Sequence, residues 1–133
     1  MSAVTKFFFR SSYLTQSTWS ILKWWEARRL AYNVAVGGAG LLSLTTVALV
    51  AGLPPDPQAF HVAWDVVVIY GLLANGSYSL GPVIDVLVHR QLGPRYGAIG
   101  PTLFRYGFAF AVGLTLMPIP LVLLGWIART IGL

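Results

Sequence analysis

WWEARRLAYNVAVGGAGLL, Trp24 to Leu42, changes character halfway along. Two tryptophans, one acid and two arginines precede Asn33, and nothing charged follows it. A helix that leaves water, crosses a headgroup layer and enters lipid needs that order. Aromatic rings and cations suit the interface, and uncharged residues suit the hydrocarbon.

The rest of the chain agrees. It has 133 residues, of which 56% are hydrophobic and only 10% charged, with a mean hydropathy of +0.71. Soluble domains carry about 25% charged residues, so this chain lacks the polar surface that would cover a globule in water. Cysteine is absent, which excludes disulfides, thiolate metal sites and thiol nucleophiles. The net charge of +5 does not point to nucleic acid, because the cations are sparse and sit at the ends of apolar runs. Lys6 and Arg10 resemble the basic start of a signal peptide, but SSYLTQST follows where its apolar core belongs. The first long apolar segment is therefore expected to stay as an anchor.

A helical crossing takes roughly 20 apolar residues, and three segments supply it. The first runs from Leu30 to Leu53 and stops at GLPPDP, where Pro54, Pro55 and Pro57 forbid further helix. The second has a charge-free centre from Val66 to Ile84, and Gly81-Pro82 is expected to kink or end it. The third follows the basic loop HRQLGPRYGAIGP, with Pro101 suited to a first helical turn and Pro118 and Pro120 expected to bend it. A fourth crossing would have to carry Lys6, Arg10 and Lys23 through the bilayer. The expected fold is all-α: one integral membrane domain, residues 1–133, with a cytoplasmic or interfacial arm over 1–30. A short interfacial N-terminal helix is expected there, then transmembrane helices over about 31–53, 60–84 and 102–128. The segment STWSILKWWEARRL either bends into the first span or continues it as one long helix, with Ser17 or Thr18 as its cap.

Cations set the direction. Lys6, Arg10, Lys23, Arg28, Arg29, Arg90, Arg95 and Arg105 fall on one side and only Arg129 on the other. The positive-inside rule makes the first side cytoplasmic. The chain is then expected in a bacterial inner membrane, N-terminus in the cytoplasm and C-terminus in the periplasm.

Polar groups inside lipid need a partner or a role. Glu26, Arg29 and Asn33 share one face of the first helix, and Asn75, Tyr78, Pro82 and Asp85 share one face of the second. Both stripes meet at the cytoplasmic boundary. The expectation is an interhelical network of Glu26, Arg28, Arg29, Asn33, Asn75, Tyr78, Asp85 and Arg105. In it Asp85 pairs with Arg28, Arg29 or Arg105, and Asn75 or Tyr78 hydrogen-bonds across helices. Near the outer end, His61 and Asp65 stand four residues apart. They are expected on one helical face, as a wetted polar pair, a proton relay, or a site where His61 is an axial ligand to haem or pigment. Ala35 with Ala39, Gly107 with Ala111, and Ala109 with Gly113 are small-residue pairs that let helices approach closely. GGAG at Gly37 to Gly40 is no phosphate loop, since no strand precedes it. HExxH, GxSxG and Walker patterns are all absent, so no catalytic residue, metal site or soluble substrate is expected.

Trp25, Glu26, Arg28, Arg29, Tyr32 and Asn33, followed by Ala74, Asn75, Tyr78, Gly81 and Asp85, resemble the paired motifs of a family of small uncharacterised bacterial inner-membrane proteins. The resemblance covers the first two spans and implies that the inner-boundary network is a family feature. It implies no activity, ligand or partner. Three function classes are carried forward. The first is an accessory or structural subunit among other integral membrane subunits, as in a photosynthetic or respiratory complex, in contact with lipid, pigment (chlorophyll-type or carotenoid) or quinone. The second is a small homo-oligomeric transporter or channel. The third is a quinone- or haem-binding anchor.

Overall fold

The computed structural model describes residues 2–9, 17–93 and 99–133. The expected contributions of Arg10 and Arg95 to the basic end lie outside the described residues. The elements are α1 (Ala3–Phe9), α2 (Thr18–Ala51), α3 (Trp64–Leu92), α4 (Gly100–Leu116) and α5 (Pro118–Thr130). No strand occurs among the described residues. Three helical rods, α2, α3 and α4 with α5, are each long and apolar enough to cross a membrane.

The first rod is one continuous helix rather than a bent pair. Ser17 caps it, its hydroxyl accepting from the Ser20 amide at 3.2 Å. Thirty-four residues at a rise of about 1.5 Å give a length of about 51 Å. The hydrocarbon layer takes up roughly 30 Å of that, so the Thr18 end stands well proud of it. α3 differs from expectation at both ends. It starts at Trp64, leaving His61 in coil, and it runs through Pro82 to Leu92. Pro82 withholds one amide from the ladder, and the flanking turns carry the helix onward. The third rod breaks at Met117, just before Pro118, as the two prolines suggest. Met117 itself keeps helical angles (φ −57°, ψ −33°), so the chain continues across the break.

Contacts at the two ends fix an up-down-up order. At one end Trp126 Nε1 donates to the Pro54 carbonyl at 2.9 Å and Arg129 Nη1 to the Asp56 carbonyl at 3.0 Å. At the other, Arg90 Nη2 donates to Thr18 Oγ1 at 3.4 Å, and α1 packs on the start of α4. Lys6, Lys23, Arg28, Arg29, Arg90 and Arg105 all belong to this second, cationic end.

The core is off-centre. Ile21, Trp24, Trp25, Tyr32, Val36, Tyr78 and Phe104 form one buried cluster, and Ile21 and Phe104 are its most completely enclosed side chains. It lies toward the cationic end, where α2 overhangs the hydrocarbon. There the hydrophobic effect operates, whereas between helices in lipid it does not. Phe104 meets Trp24, Trp25 and Tyr78 edge-on, and Phe7 and Phe8 of α1 close over it. Toward the other end packing thins out: α5 buries no residue at all.

Candidate functional site

The polar groups that the sequence singles out fall into two places. At the cationic end, Asp85 is 3% exposed and accepts a hydrogen bond from Trp25 Nε1 at 2.9 Å. The Tyr78 hydroxyl donates to the Trp25 carbonyl at 2.6 Å, and the Tyr32 hydroxyl to the Ala74 carbonyl at 3.1 Å. Trp25 can lie against α3 because Gly81 has no side chain. A methyl group there would come within 2.5 Å of the indole ring.

Three arginines expected to meet Asp85 are engaged elsewhere. Arg28 is stacked between the Trp24 and Phe7 rings, 3.9 and 4.8 Å from their centres, and donates to the Phe7 carbonyl through Nε and Nη2. It therefore ties α1 to α2. Arg29 grips Glu26 in a bidentate ion pair, reaches Ser79 on α3 and lies over the Tyr78 ring. Arg105 lies over Phe9 and donates to the Pro101 carbonyl of its own helix. Among the described residues the ion pair at this end is Arg29 with Glu26, and the Trp25 indole is a partner of Asp85 that the expected pairing did not include.

Tyr78 bonds across helices as expected. Asn75 does not: its Nδ2 donates to the Gly71 carbonyl of the same helix at 3.1 Å. Asn33 makes no side-chain hydrogen bond among the described residues, so it is not a member of the network. Ser79 and the two tryptophans are the members that sequence reading overlooked. The indole N–H of Trp25 was the available signal, since a buried indole nearly always finds an acceptor.

Two grooves flank α3. One, about 360 Å³, lies between α3 and α4 and is walled by Tyr70, Leu73, Tyr78, Phe104, Phe108 and Phe110. Its phenols have no hydrogen to spare. Tyr32 and Tyr78 donate to carbonyls. Thr115 gives its own hydrogen to the Ala111 carbonyl at 2.7 Å, so Tyr70, 2.6 Å away, is the donor of that pair. The other groove, about 330 Å³, lies between α2 and α3 and is walled by Asn33, Gly37, Leu44, Trp64, Gly71 and Asn75.

His61 and Asp65 are both exposed. The expected shared helical face does not form, because His61 precedes the helix. Their depth is unexpected as well. Trp64 lines the same groove as Leu44, whereas the Ala51 carbonyl accepts from the Gln58 amide at 2.8 Å. The coil from Gln58 to Ala63 thus descends from the level of Ala51 to that of Leu44, about 10 Å by helical rise. Asp65 is consequently at the depth of an uncharged stretch of α2.

No protein-family model, curated protein or solved structure matches the chain in comparison.

Proposed function

We propose that the chain is a non-catalytic accessory subunit held among other integral membrane subunits, in a bacterial inner membrane with its cationic end in the cytoplasm. The observation that carries this reading is the position of Asp65. An exposed carboxylate level with the apolar middle of α2 finds no solvation in hydrocarbon, and a coil at that depth carries amides that lipid cannot satisfy. A neighbouring chain that presents a cation or hydrogen-bond donors against residues 58–65 meets both demands.

Two further features agree. Within the most apolar stretch of each span, 22% of residues are buried in the first, 11% in the second and 6% in the third. The wide lateral surfaces of α3 and α5 are therefore free to be covered by other helices. At the cationic end, the phenols, indole and arginines are spent on holding α1, α2, α3 and α4 together, which is the chemistry of a latch and not of a reaction centre. The motif residues Trp25, Glu26, Arg28, Arg29, Tyr32, Tyr78, Gly81 and Asp85 all belong to that latch, and this supports reading them as a shared structural feature of the resembling family.

Purification in mild detergent, with mass spectrometry of the co-purifying chains and an absorption spectrum of the same sample, tests the proposal. Stoichiometric recovery of other membrane subunits is expected, and the spectrum reports whether they carry haem or chlorophyll-type pigment. A monodisperse homo-oligomer that supports flux in liposomes would overturn the proposal in favour of a transporter.

A further inference from the structure

The groove between α2 and α3 differs in kind from the one between α3 and α4. The latter offers ring faces and methyls, with its phenolic hydrogens consumed. The former has two half-buried carboxamides at its cationic end: Asn33, which has no side-chain partner among the described residues, and Asn75, with one side-chain N–H given to the Gly71 carbonyl and the second N–H left to donate. Tyr32 bonding to Ala74 puts these two asparagines at one depth. Hydrocarbon cannot satisfy them, so an occupant with polar atoms at that level is called for.

The walls specify the occupant further. Moving from the cationic end, one meets the Glu26–Arg29 ion pair beside Ser79, then the two carboxamides about one turn deeper, then a mostly apolar channel past Gly37, Gly71 and Leu44, where the hydroxyls of Tyr70 and Thr115 bond to each other. That order of charge, amide and hydrocarbon matches phosphate headgroup, ester carbonyls and acyl chain. The length matches too. Asn33 to Leu44 on α2, and Asn75 to Trp64 on α3, each rise about 16 Å. Half of a hydrocarbon layer of roughly 30 Å is about 15 Å. Open space at Gly37 and Gly71, where an added methyl meets nothing within 4 Å, keeps the channel clear.

We infer that this groove seats one glycerophospholipid of the leaflet at the cationic end, its ester carbonyls accepting hydrogen bonds from the Asn33 and Asn75 side-chain amides and one acyl chain lying against Gly37 and Gly71. The lipid acts as a wedge that holds α3 at its observed distance from α2. Trp64, at the deep end of the groove, borders the segment that the proposed partner covers, while the two carboxamides lie at the opposite end.

Native mass spectrometry of the full chain, released from mild detergent with any subunits that accompany it, reads the site directly. The wild-type chain is expected to keep one phospholipid mass. The double variant Asn33→Leu, Asn75→Leu should lower that occupancy about tenfold, the equivalent of ~1.4 kcal/mol. Gly37→Phe fills the channel while keeping both carboxamides in the sequence and should abolish it, which decides the matter if the double variant fails to fold. Ser77→Ala, on the opposite groove, should leave it unchanged. Retention of the lipid in folded Gly37→Phe chain, a quinone mass in its place, or a wild-type chain that carries no adduct would each overturn the inference.

Discussion

The Trp25 indole N–H meets the Asp85 carboxylate at 2.9 Å across sixty positions of sequence, and it does so inside a cluster from which water is excluded. A bond to a buried charge is worth about 1.5–3 kcal/mol. Trp25→Phe keeps most of the ring packing but leaves the carboxylate without this donor, so it should lower stability by about 2 kcal/mol. Asp85→Asn retains a carbonyl oxygen for the indole and should cost clearly less. Thermal unfolding in detergent, followed by tryptophan fluorescence, ranks the two variants.

Gly81 allows that approach. Gly81→Ala brings a methyl within 2.5 Å of the Trp25 ring and must displace it, with an expected loss of about 1–3 kcal/mol for overpacking. Gly76→Ala, on the same helix with nothing within 4 Å, should be neutral or slightly stabilising, since alanine favours helix. Equal losses for the two would show that the indole does not rest on Gly81.

Arg28 fastens α1 through a planar guanidinium, stacked on two rings and forked onto the Phe7 carbonyl. Lysine cannot reproduce that geometry. Arg28→Lys should therefore speed hydrogen exchange of the amides in Ala3–Phe9 and expose the Lys6 bond to trypsin. The three spans should keep wild-type protection.

Asp65→Leu removes the carboxylate for which a neighbouring chain is proposed. It should leave the isolated fold intact, because Asp65 is exposed, and should reduce recovery of partner subunits several-fold when membranes are extracted. Asp65→Asn should have a smaller effect. Undiminished recovery with Asp65→Leu would detach the partner from this position.

Hydropathy and proline placement were enough to read the three rods, their order and the gathering of cations at one end. Chain composition reports the solvent a helix faces, and lipid leaves a strong signature. Partner choice was less legible. Asp85 reads as a partner for Arg28, Arg29 or Arg105 because they are near it in depth, but which face Arg28 and Arg105 turn depends on α1. Nothing in the sequence says that Phe7 and Phe9 stack on Arg28 and Arg105. The start of α3 at Trp64 is hidden for a similar reason. Phe60, His61 and Val62 continue the apolar pattern of a helix, while the tie from Gln58 to Ala51 draws the chain into an extended descent. Gly81 reads as a helix breaker beside proline, and its use as a seat for an indole shows only once α2 and α3 are in register.

Three spans place the cationic end and the proline loop of the chain on opposite sides of one bilayer. The chain contains no cysteine, so single cysteines report their own side without interference. Membrane-impermeant maleimide applied to intact spheroplasts should label Asp56→Cys and Leu133→Cys at once, and Ser2→Cys and Gln91→Cys only after the membrane is opened. Labelling of Asp56→Cys and Gln91→Cys from the same side would contradict this topology outright.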